Sequence, residues 1–485
     1  MAPERGNMPT AGTTRPGPVR TAAEAAWSRI PQRSDRPAWI RLLATVIVLA
    51  ALATAVVEAM DASGIRNSID LLGNRTAPNV AATEDLSVAF ADMDAELANM
   101  LLAGSDNRAA VADAHKTYEQ RRAQAGDDLQ RAIAATGSDI SGTLLNELGQ
   151  YEALAAQIML LNDTEQNPAG RPSDRILRLQ RQATDLMSRI ELDTQRLAND
   201  NKTALDSAYT ATRRDTTDAR VQLTVLGVIL IGALIGLQVL LRVATRRRFN
   251  PALLIATLIA AVLVGGSLTA GADAAHQLKV AKEDAFESLL TLQRARAYGY
   301  DMNADESRWL LDPQRAATYE QGFLDQSQWL LNVHVKSVGD YDAAARTALT
   351  AYRRDPSDIR FTGFFADELT HPNFPGERAA LETMLLAFQS YQRDDRTMRA
   401  TAAADLTEAI SFDTSDDPGQ SDGDFRDYDN KLQAVIGIDQ RAFDTAVTRG
   451  INTLAGWNTW VPYTAFALIA LLVFLGVRPR LAEYR

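Results

Sequence analysis

The sequence predicts an all-α membrane protein: four transmembrane helices carrying two extracytoplasmic helical-bundle domains, internally duplicated. Three observations predict it. There are four long apolar windows, the charge changes sign from one intervening segment to the next, and the long polar segments repeat their apolar residues at one-face helical spacing. Whole-chain averages conceal this. A length of 485 residues would fit about three domains, and a mean hydropathy of −0.17 is that of an ordinary soluble chain. The net charge of −11 offers no basic footprint for nucleic acid. The absence of cysteine excludes disulfides, thiol nucleophiles, zinc fingers and iron–sulfur clusters.

Taken in chain order, residues 1–37 are rich in Pro, Thr, Ala and Arg and read as a disordered tail. The first span, 38–60, contains Ile40–Met60, whose only charges are Arg41 and Glu58. It is too long and too far from the start for a cleaved signal, so a retained anchor is expected. At a rise of about 1.5 Å per residue, about 20 apolar residues cross the hydrocarbon core. The second and third spans, 221–241 and 250–272, meet that length. The fourth, 461–477, is shorter but follows Trp457 and Trp460, which suit a headgroup interface.

Between the spans lie 61–220 and 273–460. In the first, Leu86, Phe90, Met93, Leu97 and Leu101 share one helical face, as do Ile176, Leu179, Leu186, Ile190 and Leu197. Breaks at Gly104–Asn107, Gly137–Ser138 and Asn167–Pro172 divide it into four helices, hence a four-helix bundle. The second is expected to be a related bundle that departs after Tyr352. It is interrupted by PNFPGER at Pro372–Arg378 and by the acidic run 411–430. That run lacks the EF-hand order and reads as a solvated loop. A repeat ties the two bundles. DMDAELANMLL at Asp92–Leu102 matches DMNADESRWLL at Asp301–Leu311 in five of eleven positions at an offset of 209. TYEQ then recurs at Thr117–Gln120 and Thr318–Gln321.

Charge orients the spans. The 1–37 tail carries +3, the 242–249 connector +4 and the 478–485 tail +2, whereas 61–220 carries −8 and 273–458 carries −12. Short basic segments stay in the cytoplasm. Both termini and the connector are therefore expected inside, and the protein in the plasma membrane.

The chain holds no Walker, nucleophile-elbow or zincin motif, and its four histidines are scattered. No catalytic, cofactor or metal site is expected, and no enzyme activity. Carboxylates are so abundant that they read as solvated faces, and the histidines read as surface residues. Gly232 and Gly236 form a G-x-x-x-G expected to pack closely inside the membrane. Arg242, Arg246, Arg247 and Arg248 could dock a cytoplasmic partner or serve topology alone. Arg294 and Arg296 could fork a ligand carboxylate or pair with neighbouring acids.

Long bundles hung from two spans resemble chemoreceptor sensor domains. LLAGSDNRAA (Leu101–Ala110), YEALAAQIMLLNDTEQNPAG (Tyr151–Gly170) and ADELTHPNFPGER (Ala366–Arg378) make the chain similar, beyond this, to the GlnX-like actinobacterial four-span membrane proteins. That resemblance implies amino-acid sensing. A solute-binding lipoprotein that senses aspartate or glutamate would signal through the four-span protein to a soluble Ser/Thr kinase. It transfers no ligand residues. Two other roles stay open: a direct sensor whose bundle binds a small anion, and a non-signalling structural envelope protein. Receptor-like bundles are compatible with a homodimer, but no residue here specifies one.

Overall fold

The computed structural model describes residues 36–136, 140–245 and 250–482. Among these the chain is helical, and the single extended contact is an isolated bridge between Asn332 and Thr362. The expected tail 1–37 and the connector arginines Arg246, Arg247 and Arg248 lie almost wholly outside the described residues.

Four helices are long and apolar enough to cross a membrane. Helix α1 (Arg36–Leu71) and helix α5 (Asp174–Thr245, 72 residues) carry the first two apolar windows. Helix α6 (Pro251–Lys279) and helix α14 (Trp460–Ala482) carry the others. In each, only 28% of the most apolar window is buried within the chain. Leu49, Val228, Leu258, Val262 and Phe474 are openly exposed. A soluble core helix would bury such residues; a span leaves them to lipid.

The chain divides into two compact units. Of the described residues, the smaller holds 36–57, 223–245, 250–265 and 460–482. Ile47, Leu234, Leu237, Ala256, Ile469 and Val473 meet in its core. Gln238 donates to Thr257 Oγ1 at 2.8 Å, and Asn250 to the Gly476 carbonyl at 2.9 Å. Polar ties of this kind join spans where hydrophobic burial supplies no drive. Gly232 and Gly236 depart from expectation. A Cβ at either would meet nothing within 4 Å, whereas Gly227 is pressed against Val264. The helices cross at a different turn, so the small residues of the motif are left open.

The larger unit holds Glu58–Gln222 and Gly266–Thr459. Its elements after α1 are α2 (Ala77–Ala103), α3 (Arg108–Thr136), α4 (Ile140–Glu165) and the first part of α5. From the second half come α7 (Glu287–Leu311), α8 (Ala316–Leu330), α9 (Val338–Arg354) and α10 (Phe364–Thr370). The series ends with α11 (Glu377–Ala402), α12 (Leu406–Asp413) and α13 (Ser421–Thr453). A π-helical turn joins α1 to α2 at Leu72–Thr76, and another joins α6 to α7 at Val280–Phe286.

The two polar segments, expected as separate bundles, fold into this one unit. The reason lies in α2 and α7, which are buried on most of their faces and so need partners all round. They supply them to each other. Arg294 donates to Glu84 and Gln293 to Asp85, Ser307 donates to Asn99, and Arg308 pairs with Asp94. Both numbers rise together, so the pair is parallel. Its contacts are 208 to 214 residues apart, close to the 209-residue offset between the repeated segments. The cores mix accordingly: Leu310, Leu311 and Ile410 join the first-half core, and Val88 and Ala91 join the second.

Candidate functional site

A cavity of about 760 Å³ opens in the larger unit, within the size range of small-molecule sites. Each contributing helix offers one face. Asp92, Glu96 and Asn99 follow i, i+4, i+7 on α2. Ala110, Asp113, Ala114, Thr117 and Arg121 follow the same rule on α3, and Asp422, Phe425, Arg426 and Asp429 on α13. Tyr300 and Asn303 come from α7.

Two of the segments that carry the family resemblance meet at a turn just before the cavity-lining residues Asn107 and Ala109. Gly104, at φ +55°, ends α2 in a conformation that side chains resist, and the backbone of Pro168 and Ala169 lies against it. Ser105 N–H donates to the Asn167 carbonyl at 2.8 Å, Gly170 N–H to the Leu102 carbonyl at 2.9 Å, and Ala169 N–H to Asp106 at 3.0 Å. Asn107 and Ala109, next in the chain, line the cavity. The third segment is a turn elsewhere. Buried Glu377 accepts from the N–H groups of Asn373 and Phe374, both at 2.8 Å, and holds the PNFPG bend.

Six carboxylates and two guanidiniums line the cavity. Arg121 donates to Asp92 at 2.5 Å and to Tyr300 Oη at 3.3 Å. Arg426 pairs with Asp416 at 2.7 Å and reaches Asp113 at 3.8 Å. Asp429 accepts from Arg296 at 2.5 and 3.0 Å and from Tyr300 at 3.0 Å. Tyr300 stands edge-on to Phe425, with ring centroids 5.0 Å apart. Two of the six acids form no ion pair among the described residues. Asp422 accepts from Asn303 at 3.0 Å, and burial lifts it to about 6. Glu96 is held well above the usual carboxylate range by burial and then by Asp92 and Asp422. Among the described residues no three acidic or histidine side chains converge into a metal-holding group.

Arg294 and Arg296, the arginines singled out for a ligand carboxylate, are both engaged inside the chain. Arg294 lies 2.6 Å from Glu84, and Arg296 grips Asp429 with two nitrogens. Arg296 does not line the cavity itself but touches two residues that do, Asp429 and, at 3.4 Å, Tyr300 Oη. Arg242 is exposed near the end of α5. All four histidines are exposed.

Two expectations are corrected here. The run 411–430 is mostly helix: Ser411–Asp413 end α12, and Ser421–Asn430 begin α13. Asp413, Ser421 and Asp429 are buried in it because α7 supplies partners: Ser307 donates to Asp413, Ser421 to Glu306, and Arg296 to Asp429. Nor are the carboxylates generally solvated. Asp94, Asp305, Glu306, Asp394, Asp395 and Asp439 are buried at helix contacts. The signal lay in the repeated segments, where acids interrupt otherwise apolar runs, as in DMDAELANMLL.

No curated protein matches the chain, and no solved structure does. Residues 68–210, from the end of α1 through α4 into α5, match a family described as an actinobacterial sensor domain. That stretch supplies the α2 and α3 walls of the cavity, and with the four apolar helices it supports a sensor-type, multi-pass membrane protein.

Proposed function

We propose that the chain is a transmembrane signal transducer, relaying extracytoplasmic amino-acid availability from a solute-binding lipoprotein to a cytoplasmic Ser/Thr kinase. One observation carries the transducer reading. The sensor-family match ends at residue 210 inside α5, and α5 continues without a break through the apolar window to Thr245. Sensor and span thus share one helix. A shift of about 1–2 Å along it, of the size packed helices make between states, would reach the basic connector. The partners come from the GlnX-like resemblance, and the absence of catalytic chemistry of its own rests on the missing Walker, nucleophile-elbow and zincin motifs. Cytoplasmic termini follow from the charge pattern. Internal duplication of a span–bundle–span unit is supported by the twin π-helical turns, which begin 208 residues apart, and by the in-register pairing of α2 with α7.

A second reading, direct sensing, is favoured by the cavity, but for a different solute than expected. Its six acids outnumber the two guanidiniums beside them, and both guanidiniums are already engaged by acids of the chain, so the wall offers no free cation to an anionic amino acid. Aspartate and glutamate would accordingly act through a partner, while a solute sensed directly would be cationic. Deleting the chain in its native host should abolish the kinase's response to added aspartate and glutamate, followed by phosphorylation of its substrate. A response that persists would sink the relay. Calorimetric titration of the full chain with cationic and anionic amino acids separates the second reading, which requires saturable heat with the cationic set.

A further inference from the structure

The smaller unit contains a second opening, unrelated to the polar cavity. A groove of about 670 Å³ runs between α1 and α14. Its walls are apolar: Ala44, Val48 and Leu49 from α1, and Ala470, Val473 and Phe474 from α14. At one end it is closed by Arg41 and Arg478. Neither arginine has an acidic partner among the described residues, although most arginines of the larger unit have one. Arg478 lies over the Phe474 ring, 5.8 Å from its centre, so the groove wall itself holds the guanidinium at the mouth.

We propose that this groove binds one anionic phospholipid, with the phosphate between Arg41 and Arg478 and an acyl chain laid along the apolar walls. Three features select that occupant. Two guanidiniums at one end, without an acidic partner among the described residues, ask for a phosphate-type anion. The long axis is apolar and lies within segments that face hydrocarbon. The distance from Arg41 to Leu49, like that from Arg478 to Ala470, is eight residues, about 12 Å of helix. One leaflet of hydrocarbon is about 15 Å thick, half of the bilayer core, so the groove matches a single lipid with its headgroup at the arginine end. A second copy of the chain would have to bring an acid to both guanidiniums; the apolar windows hold none at this end, and the nearest in sequence are Asp35 and Glu483.

The test is native mass spectrometry of the full chain in detergent, titrated with phosphatidylglycerol and with phosphatidylcholine of the same acyl chains. The phosphatidylglycerol adduct should form at about tenfold lower lipid concentration or better, since each arginine near a headgroup contributes severalfold. In the Arg41→Gln/Arg478→Gln variant the two lipids should bind alike. Arg41→Lys/Arg478→Lys should keep most of the preference, and Arg242→Gln, which removes a charge outside the groove, should keep all of it. Ala44→Phe, which fills the groove, should weaken both lipids. Equal binding to the parent chain would overturn the proposal, as would a preference that survives Arg41→Gln/Arg478→Gln or disappears equally with Arg242→Gln. A dimer that Ala44→Phe dissociates, with no lipid preference, would assign the groove to a second copy instead. Inorganic phosphate that displaces the lipid at millimolar concentration would show a bare anion site, and the acyl-chain part of the proposal would fall.

Discussion

Ser288 Oγ lies 2.7 Å from Glu368 Oε2 and 2.7 Å from Asp439 Oδ2. A hydroxyl has one proton to give, so two carboxylates cannot both accept from it. One of the two acids must hold a proton and donate it to the serine oxygen. Burial agrees, lifting Glu368 to about 7 and Asp439 to about 8, with Glu377 adding to both. The groups join α7, α10 and α13, so their protonation state bears on how those helices hold together. A folded-state value above the unfolded one gives stability that is complete below the unfolded value, near 4 for a carboxylate. It is lost as pH rises through the folded value. The thermal midpoint of the full chain should accordingly fall between pH 6 and pH 9. Asp439→Asn, which keeps a hydrogen-bonding side chain of the same shape and never ionises, should flatten that slope and melt higher than the parent at pH 9. Parallel slopes for parent and variant would remove Asp439 from the account. None of this was legible in the sequence, because Ser288, Glu368 and Asp439 are 80 and 151 residues apart and only the packing of three helices brings them together.

At the scale of elements, reading was easiest where the chain must stop or turn. The breaks expected at Gly104–Asn107 and Asn167–Pro172 separate α2 from α3 and α4 from α5. What a linear reading could not supply is that these two breaks touch. Gly104 has both reasons to stay glycine: a φ of +55° and Pro168 and Ala169 backbone atoms within 2.7 Å of where a Cβ would stand. Backbone cannot step aside as a flexible side chain can. Gly104→Val should therefore lower stability by roughly 1–3 kcal/mol from the backbone conformation alone, and more if the 104–107 and 166–170 turns separate. The measurement is the thermal midpoint, together with proteolysis mapped by mass, which should show new cleavage near 104–107. Gly126→Val is the control: it is a helical glycine with nothing within 4 Å, so it should leave the turn protected. The acidic run 411–430 failed as a loop for a related reason. Its composition is that of solvent-exposed chain, yet Ser307, Asn303 and Arg296 on α7 stand ready to receive its acids. Composition reports what a segment would prefer alone, and partners 100 or more residues away decide otherwise.

For the whole molecule, the apolar windows were legible because crossing a bilayer demands length and composition that nothing else in the chain imitates. The matching segments Asp92–Leu102 and Asp301–Leu311 were legible too, but not that the helices carrying them pack on each other and make one unit where two bundles were expected. The cavity stayed hidden for the same reason, since its walls come from residues 92 to 121 and 300 to 430. Orientation rests on charge: +9 on the three short segments against −20 on the two long ones. The positive-inside rule counts arginine in short loops, so the connector, with four arginines and no acid, is its strongest marker. The chain offers a clean way to check it, because it has no cysteine and any thiol label reports only the one introduced. Ser357 lies in an exposed turn after α9, and Val243 is exposed near the end of α5. In intact cells a membrane-impermeant maleimide should label Ser357→Cys and spare Val243→Cys, and after lysis it should label both. Labelling of Val243→Cys alone before lysis would invert the topology. Labelling of both would break the four-span arrangement, which puts one crossing, the 250–272 span, between Val243 and Ser357.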